Sequence, residues 1–335
     1  MFNIITRSIK RRIKDNPINV WCFRRKAREK DLLLELMPYY NSDDKVKKNN
    51  QTVICMFDGK IYQGGLADRL RGIISTYIVC KDLHMPFKIF FNHPFELQTY
   101  LSNNFDWTID KKDISYNKDN VDIVVLETIS CNDYEAFLQK RWLTKTIKNA
   151  THSQIHVYTN AFFSYKNNYS SLFNELFKLA PSLYTSIQKY REILGFNYIS
   201  VSSRFLDLLG DFNEVFGRGQ LSKKNAEEII DSTLKQIKKL HIENSGAKIL
   251  VNSDSERFLK EAEKFNFTYV IPGNITHIDN DSSSNYEFYE KTFLDFFMIA
   301  NAKRVFLLKT GRMHNSGYPY AASLIYNKKF KVIEF

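Results

Sequence analysis

The stretch "TVICMFDGKIYQGGLADRLRGIISTYI", residues 52–78, contains the unit from which the fold is built. Its first six residues are an apolar run of strand length, and the apolar residues after Gly65 recur at helical spacing. Gly64 and Gly65 stand between the two parts. Because the first N–H groups of a helix have no partner within it, a loop that leads from a strand into a helix is a common anion site. The stretch therefore predicts a strand, a helix and a glycine loop that is a candidate anion site.

Strand-like and helical patterns alternate along the rest of the chain. Further strands are predicted at 87–91, 121–127, 153–160, 198–204, 248–253, 268–273, 304–310 and 330–335, with helical or irregular segments between them. One of these segments, 171–195, is predicted to be helical with an interruption at Pro181. Near-continuous apolar strands separated by helices are typical of parallel sheets covered on both faces. The sequence therefore predicts an α/β fold with a basic N-terminal arm and linker (1–50), an N-terminal α/β lobe (51–185) and a C-terminal Rossmann-like lobe (186–335).

The positive charge is concentrated at one end of the chain. The net formal charge is +11, and residues 1–50 hold thirteen Lys or Arg against six Asp or Glu. The basic run over 7–30 includes Trp21 and Phe23, which predicts peripheral contact with the anionic inner face of a membrane; a solvated basic helix pair is the alternative. No apolar run has the length of a membrane span or a signal peptide, so a cytoplasmic location is expected.

Several motifs that would define other chemistries are missing. The glycine loop lacks the residue order of a P-loop and of the dinucleotide fingerprint, so neither a nucleoside triphosphatase nor a dehydrogenase is indicated. The four cysteines are far apart and have no zinc-ligand spacing, which predicts reduced thiols. The acidic "DND" at 279–281 is more typical of a polar turn than of a metal site. No metal is predicted.

Polar residues follow the strand predicted at 198–204, and strand ends line the binding crevice of an open α/β sheet. Arg204 can bind a phosphate or a carboxylate through two parallel hydrogen bonds, and a surface pair with Asp207 is the alternative. Asp207 is also a candidate general base, as are Asp211, Glu214 and Asp68. The sequence alone does not choose among these four carboxylates.

Two further strand ends carry polar residues. After the strand at 248–253, Ser253 and Glu256 have the spacing of a helix capping box, while Asn252 and Asp254 could bind a purine edge or a ribose hydroxyl. Thr292 and Asp295 have the same capping spacing in the next helix. The strand at 304–310 leads into a polar loop that contains Thr310, Gly311, Arg312, His314, Asn315, Ser316 and Gly317. Packing alone does not explain this loop, and its hydroxyls and N–H groups suit a diphosphate.

The order of these parts resembles the fucosyltransferase superfamily that includes the α-1,6-, the nodulation and the protein O-fucosyltransferases. "GGLADRLRG" (64–72) is similar to the early glycine loop of that family. "VSSR" (201–204) resembles its His-x-Arg strand end, with Ser202 in place of the histidine, and "VNSD" (251–254) resembles its strand that leads to an aspartate. Asp295, Ala302 and the loop from Thr310 to Ser316 resemble its last helix, strand and Ser/Thr-rich loop. The resemblance runs in order over about residues 52–326.

The resemblance implies a GT-B-like fold in which two Rossmann-like doubly wound lobes face a central cleft. It implies transfer of fucose from GDP-fucose to a glycan hydroxyl, for which cell-surface polysaccharide synthesis is the expected setting. Arg204 would stabilise the leaving diphosphate, and Asp207 is the expected second catalytic residue. The expected donor-binding residues are Gly64, Gly65, Arg69, Arg204, Asp254, Asp295, Thr310, Gly311 and Ser316. Neither a divalent metal nor a cofactor beyond the donor substrate GDP-fucose is expected.

Two other functions fit the same residues. A GT-B glycosyltransferase that uses another nucleotide sugar would share them, and the positive charge with 19 Tyr suits a non-catalytic polyanion-binding protein. The basic residues concentrate in the arm, and no nucleic-acid-binding signature is present. Nucleic acid is therefore not a predicted partner. The predicted partners are a nucleotide-sugar donor and a glycan acceptor.

Overall fold

The computed structural model describes residues 28–42, 51–127, 133–163, 168–212, 217–275, 278 and 286–335. Most of the predicted basic arm, most of the linker and the acidic turn at 279–281 lie outside the described residues. In the part of the chain that is described, no helix combines the length and the apolar character needed to cross a membrane.

Strands and helices alternate as the sequence predicts. The strands are β1 Thr52–Phe57, β2 Phe87–Phe91, β3 Leu101–Asn103, β4 Val121–Leu126, β5 Gln154–Thr159, β6 Phe177–Leu179, β7 Ile199–Ser203, β8 Ile249–Ser253, β9 Thr268–Tyr269, β10 Arg304–Lys309 and β11 Lys329–Glu334. The helices are α1 over 28–36, α2 Leu66–Leu83, α3 Asp133–Lys148, α4 Tyr169–Leu176, α5 Pro181–Leu194, α6 Lys223–Glu243, α7 Glu256–Ala262, α8 Tyr286–Asn301 and α9 Tyr318–Ile325. The predicted strands are confirmed, although β9 is much shorter than expected.

The first sheet has the strand order β2-β1-β5-β4, and all of its pairs are parallel. β1 and β5 lie in the middle and are almost entirely buried, as expected for a parallel sheet covered on both faces. A Cβ at Gly72 of α2 would come within 2.1 Å of the Thr159 carbonyl oxygen at the end of β5. Glycine therefore allows α2 to lie against the backbone at this end of the sheet.

A buried hydrogen-bond network lies at the carboxyl end of β1. Asp58 Oδ2 accepts hydrogen bonds from Lys60 Nζ (2.8 Å) and from the hydroxyls of Tyr116 (2.7 Å) and Tyr158 (2.9 Å). The Tyr158 hydroxyl also lies 2.9 Å from that of Tyr40. A buried network whose members bind one another stiffens the chain that carries it. Here it fixes the segment that leads from β1 toward the glycine loop.

The second sheet has the order β11-β10-β7-β8-β9, again with parallel pairs throughout. The chain runs outward from β7 to β9, returns to β10 beside β7, and continues outward to β11. This is the doubly wound Rossmann order, and its topological switch point lies between β7 and β10. The predicted Rossmann-like character of the C-terminal half is confirmed.

The two faces of β7 differ in character. Ile199 and Val201 belong to a hydrophobic core with Val251 of β8 and Ile237 of α6. The residues that alternate with them, Ser200 and Ser202, are buried polar side chains. Because side chains alternate between the faces of a strand, the opposite face of β7 is polar toward its carboxyl end.

Three local predictions are wrong. Ser255 caps α7, and its hydroxyl accepts from Phe258 N at 3.1 Å, so Ser253 and Glu256 do not form a capping box. The reason is that Ser253 is still paired within β8. Thr292 and Asp295 lie inside α8 and do not cap it. The helical region predicted at 171–195 is interrupted by β6, which pairs antiparallel with β3.

The chain divides into two compact units. Within the second unit, the ring of Tyr100 stacks on that of Phe293 in α8 with centroids 4.1 Å apart, and Phe95 lies edge-on to Phe293. These rings tie the segment around Tyr100 to α8, whereas the sequence predicts a single division at residue 185. The first unit comprises Met1–Gln63, Arg71–Phe91 and Trp107–Ser164, and the second comprises Gly64–Leu70, Asn92–Asp106 and Tyr165–Phe335.

Candidate functional site

The loops that follow β7 and β10 meet at the switch point of the second sheet. β7 and β10 are direct neighbours, with Ser202 paired to Leu307. Arg204 directly follows β7, and its carbonyl oxygen accepts a hydrogen bond from His314 N in the loop after β10 at 2.9 Å. In open α/β sheets, ligands bind in the crevice outside the carboxyl ends of the strands at this place. Arg204 and the loop 310–317 therefore form one candidate site.

Asp254, at the end of β8, supports the turn that carries Arg204. Its two carboxylate oxygens accept from the backbone N–H groups of Phe205 and Leu206, each at 2.8 Å. Leu206 has φ +56°, a conformation that a bulky residue adopts only when its surroundings hold it there. The Arg204 Nε lies 3.7 Å from Asp254 Oδ2, and the Arg204 side chain is 24% exposed. Asp254 thus holds the turn that follows Arg204 and lies within ion-pair distance of the Arg204 guanidinium.

The protonation of Asp254 reflects competing influences. Burial raises the pKa of its carboxyl to about 6, and the Phe205 amide, the Arg204 charge and the Leu206 amide oppose that rise. An ionised Asp254 is the better acceptor for two N–H groups. The carboxylate form therefore supports the Arg204 turn at neutral pH.

Buried polar atoms lie beside this turn. Ser202, Ser203 and Asn252 are 6%, 2% and 7% exposed. Their atoms Ser202 Oγ, Ser203 Oγ and Asn252 Oδ1 have no hydrogen-bond partner within the described protein. Leaving a buried polar group unsatisfied costs about 1–3 kcal/mol, and such groups in native structures are usually explained by water, an ion or a function. Their place at the ends of β7 and β8 makes this edge of the sheet suited to a polar ligand.

Three side chains join the loop after β7 to the loop after β10: those of Asp207, Arg218 and Arg312. Asp207 accepts from the backbone N–H groups of Arg218 (2.6 Å) and Gly219 (2.7 Å), and these contacts lower its pKa. The Arg218 guanidinium donates to the carbonyl oxygens of Arg312 (2.5 Å) and Met313 (3.2 Å). Arg312 in turn donates to the Gly219 carbonyl oxygen at 3.0 Å. Each loop therefore carries an arginine that binds the backbone of the other.

Sequence reasoning missed Arg218, although its neighbours carry a signal. A Cβ at Gly217 would come within 2.4 Å of Asp207 Oδ2, and Gly219 has φ +81°. Glycine on both sides of an arginine is thus required where the Asp207 carboxylate approaches the backbone. The pattern "GRG" at 217–219 could have indicated this close approach.

The loop after β10 is shaped by its own backbone contacts. Gly311 has φ +52°, and Met313 N donates to the Thr310 carbonyl oxygen at 3.0 Å. Ser316 is buried, and its hydroxyl accepts from Tyr318 N at 3.4 Å, in the first turn of α9. Thr310, Gly311 and Ser316 are therefore brought to the switch-point edge, where the sequence places them.

The glycine loop and Arg69 have structural contacts of their own. Arg69 is 2% exposed, and its guanidinium donates to the carbonyl oxygens of Gly64 (3.0 Å) and His93. Gly64 has φ +78°, and a Cβ there would come within 2.7 Å of Asp68 Oδ2. Arg69 thus holds the backbone of the loop, and donor binding by Gly64, Gly65 and Arg69 stays a prediction.

Asp295 is paired with a buried lysine. Its Oδ2 lies 2.8 Å from Lys291 Nζ, which also donates to the Ile271 carbonyl oxygen at 2.8 Å. Burial raises the pKa of Asp295, and the Lys291 charge opposes that rise. Asp295 Oδ1 has no hydrogen-bond partner among the described residues. Its predicted contact with the donor stays a prediction.

The fold and the residues at the switch-point edge together indicate a protein that binds an anionic ligand. The chain has two parallel sheets, and the second has the Rossmann strand order. At the switch point of the second sheet, Arg204 lies within ion-pair distance of Asp254, and hydrogen bonds join the two polar loops that follow β7 and β10. Such an arrangement suits an anionic, nucleotide-like ligand. Among the described residues, no three His, Cys, Asp or Glu side chains cluster as metal ligands would.

Three solved structures of the fucosyltransferase NodZ are similar to the chain, whereas no protein-family model and no curated protein matches its sequence. The α-1,6-fucosyltransferase soaked with GDP-fucose has 13% identity and a TM-score of 0.55, over 86% of this chain and 95% of that chain. The enzyme co-crystallized with GDP has 14% identity and 0.55 over the same shares. NodZ from Bradyrhizobium has 13% identity and 0.54, over 86% and 96%. This chain therefore has the fucosyltransferase-like, GT-B-type fold that the resemblance implies.

Proposed function

We propose that this protein is a glycosyltransferase that moves fucose from GDP-fucose to a glycan hydroxyl. The observation that carries the proposal is the position of Arg204, at the switch point of a fucosyltransferase-like fold and between Asp254 and the loop 310–317. The NodZ structures with GDP and GDP-fucose support this choice of donor. A GT-B enzyme that uses another nucleotide sugar is the alternative.

Electrostatic stabilisation is the main chemical task in such a transfer. As the bond between the sugar and the diphosphate breaks, negative charge grows on the departing diphosphate. Arg204 is held in place before the reaction by Asp254, so its charge need not reorganise when that charge develops. Backbone N–H groups and hydroxyls of the loop 310–317 would add hydrogen bonds to the same group. This proposal needs neither a metal nor a cofactor.

Asp207 has a different role in this proposal from that of a free base. Both of its oxygens bind backbone N–H groups, and its pKa is lowered by them, so it is a weak acceptor for a hydroxyl proton at neutral pH. These contacts favour a positioning role, in which Asp207 holds the Arg218 segment against the loop 310–317. The base would then be one of the other predicted carboxylates.

The setting of the reaction is proposed from charge alone. The surplus of basic residues in 1–50 suits peripheral contact with an anionic inner membrane face, and we propose a cytoplasmic protein that acts in cell-surface polysaccharide synthesis. An acceptor made at such a surface would be a polysaccharide or lipopolysaccharide precursor.

Isothermal titration calorimetry with GDP, UDP and a duplex oligonucleotide tests the proposed donor. We expect GDP to bind in preference to UDP, and Arg204→Ala to weaken GDP binding by at least about tenfold, because a charge-assisted hydrogen bond contributes about 1.5–3 kcal/mol. Arg304→Ala is the matched control, since Arg304 lies at the opposite end of β10 and binds Asn244. Preference for UDP would support the other glycosyltransferases. Salt-sensitive oligonucleotide binding without a nucleotide response would support a polyanion-binding protein.

A further inference from the structure

The exposed face of α3 (Asp133–Lys148) carries a pattern of its own. The buried residues of this helix recur at helical spacing: Ala136, Gln139, Leu143 and Ile147. The positions on the opposite side have the same period, and all five are exposed: Tyr134, Phe137, Arg141, Lys145 and Lys148. Steps of three and four residues keep side chains on one side of a helix. These five residues, the α3 stripe, therefore present two aromatic rings followed by three cations.

The two aromatic side chains of the α3 stripe are unusually accessible. Tyr134 is 53% exposed and Phe137 is 57% exposed, and they lie about one helical turn apart. A single exposed apolar side chain is ordinary on a protein surface, but two adjacent rings form a continuous apolar contact area. Aromatic side chains on the outer face of a helix are typical anchors at the boundary between water and lipid. The aromatic end of the α3 stripe is therefore suited to a lipid surface.

The three cations of the α3 stripe have no carboxylate partner within the described chain. Lys140 lies off the stripe and, by contrast, forms an ion pair with Asp82 of α2 at 2.7 Å. The acidic residues of α3 are confined to its first turn. Cations in the last turn complement the helix dipole, which accounts for Lys145 and Lys148 but not for Arg141. The stripe thus keeps three positive charges available to an anionic partner.

We propose that the α3 stripe docks on an anionic membrane surface, with its cations on the headgroup phosphates and its rings at the lipid boundary. The stripe runs for about 21 Å along one helix, since each residue adds about 1.5 Å, and a convex helix can meet a flat surface along this length. Single-stranded nucleic acid instead favours a charged groove that tracks its backbone. The charge and the rings therefore favour a membrane over nucleic acid.

This surface is separate from the membrane contact proposed for the basic run over 7–30. It lies on a described helix of the first unit, whereas Arg204 belongs to the second unit. The inference goes beyond the proposed function, because it requires neither a nucleotide donor nor Arg204. A test of docking can therefore fail while the proposed function stands.

Co-sedimentation of the full chain with lipid vesicles tests this docking surface. The vesicles contain phosphatidylcholine alone, or equal parts of phosphatidylcholine and phosphatidylglycerol, and we expect binding to the second kind. A cation variant combines three substitutions: Arg141→Gln, Lys145→Gln and Lys148→Gln. It should bind the anionic vesicles about tenfold more weakly or worse, because each Lys or Arg near such a surface strengthens binding by about fivefold. A ring variant, Tyr134→Ser with Phe137→Ser, should bind several-fold more weakly.

Two matched control variants separate the α3 stripe from general effects of charge and exposed rings. The first loses the same net charge from three exposed lysines on other helices: Lys224→Gln, Lys239→Gln and Lys260→Gln. The second, Tyr184→Ser with Phe196→Ser, replaces two rings that are 53% and 66% exposed. Both controls should lose much less affinity than the stripe variants, because salt screens exposed charges that lie more than about 10 Å from the bound surface.

Several outcomes would overturn the proposed docking. These are failure of the wild type to bind anionic vesicles, unchanged binding by both stripe variants, and equal losses in the stripe variants and their controls. Loss of duplex oligonucleotide binding in the cation variant, with vesicle binding retained, would assign the stripe to nucleic acid instead. GDP titration of every variant gives a separate readout and should match the wild type, so failed docking leaves the proposed function intact. If the cation variant does not fold, the ring variant and its control decide the matter.

Discussion

Asp254 shows how one residue can support a candidate site through contacts with the backbone. Its oxygens bind Phe205 N and Leu206 N, and its charge faces Arg204. The sequence places Asp254 correctly at a strand end but gives no sign that the backbone occupies both of its oxygens. These contacts join Asp254 to Phe205 and Leu206, which lie 49 and 48 residues earlier in the chain. Residue position was therefore predictable here, and residue role was not.

The pKa of Asp254 predicts how stability varies with pH. Burial raises this pKa to about 6, and the unfolded chain has an ordinary value of about 3.9. Between these values the folded state binds more protons than the unfolded state, so the free energy of unfolding falls as pH rises. Relative to that of Asp254→Asn, the free energy of unfolding of the wild type should fall by up to about 1.4 kcal/mol per pH unit in this window. Above this window the difference between the two proteins should no longer change with pH.

Urea unfolding of both proteins at several pH values from about 4 to 7 measures this difference. The variant lacks only the titrating group, so shared contributions cancel. A wild-type protein that gains stability over the variant as pH rises through this window would contradict the raised pKa.

Asp207 allows a test of positioning against base catalysis. In Asp207→Asn, the amide oxygen can still accept from one backbone N–H, but the amide nitrogen cannot accept from the other. We expect a rise of several-fold in KM for the donor, a smaller change in kcat, and a pH–rate profile of unchanged shape. Asp122→Asn in β4 is the matched control, because the Asp122 carboxylate also accepts from two backbone N–H groups, those of Thr151 and His152, and has no role in the candidate site. A fall in kcat of about 10²–10⁴ with loss of the acidic limb would instead assign Asp207 as the base.

At the scale of elements, α2 depends on the absence of a side chain at one position. A Cβ at Gly72 would lie 2.1 Å from the Thr159 carbonyl oxygen, so Gly72→Ala must displace α2 or the end of β5. Overpacking of this kind costs about 1–3 kcal/mol, and denaturant unfolding should show that loss. Lys239→Ala in α6 is the control, because the Lys239 side chain is 65% exposed and a surface substitution of this kind usually changes stability by no more than about 0.5 kcal/mol. Equal stability of Gly72→Ala and the wild type would contradict the close approach of α2 to β5.

Most elements could be predicted because their burial has a period that the sequence records. β1 is apolar almost throughout, and the apolar spacing of α2 is helical. Helix starts were harder, since Ser253 has the spacing of a cap but its backbone belongs to β8. β6 was hidden because three residues inside a helical pattern become a strand only when β3 is beside them.

At the scale of the whole molecule, strand order decides which predicted residues meet. Arg204 and Thr310 are brought to one edge because β10 returns to the side of β7, and no local pattern records that return. No local pattern indicates, either, that Asn92–Asp106 belongs to the second unit, although it comes from the first half of the chain. Contacts such as the stacking of Tyr100 on Phe293 place it there. The arrangement of the two units about a central cleft stays a prediction.

The proposed fucosyl transfer is tested by measuring the release of GDP from GDP-fucose by the purified protein, with and without a polysaccharide acceptor. The wild type should release GDP from GDP-fucose faster than it releases UDP from UDP-sugars. Arg204→Ala should lower kcat by about 10²–10³ while Arg304→Ala leaves it unchanged, because only the first removes a charge placed for the departing diphosphate. Equal turnover by Arg204→Ala and the wild type would contradict the role of Arg204 in stabilising the departing diphosphate. Turnover of UDP-sugars alone would contradict GDP-fucose as the donor.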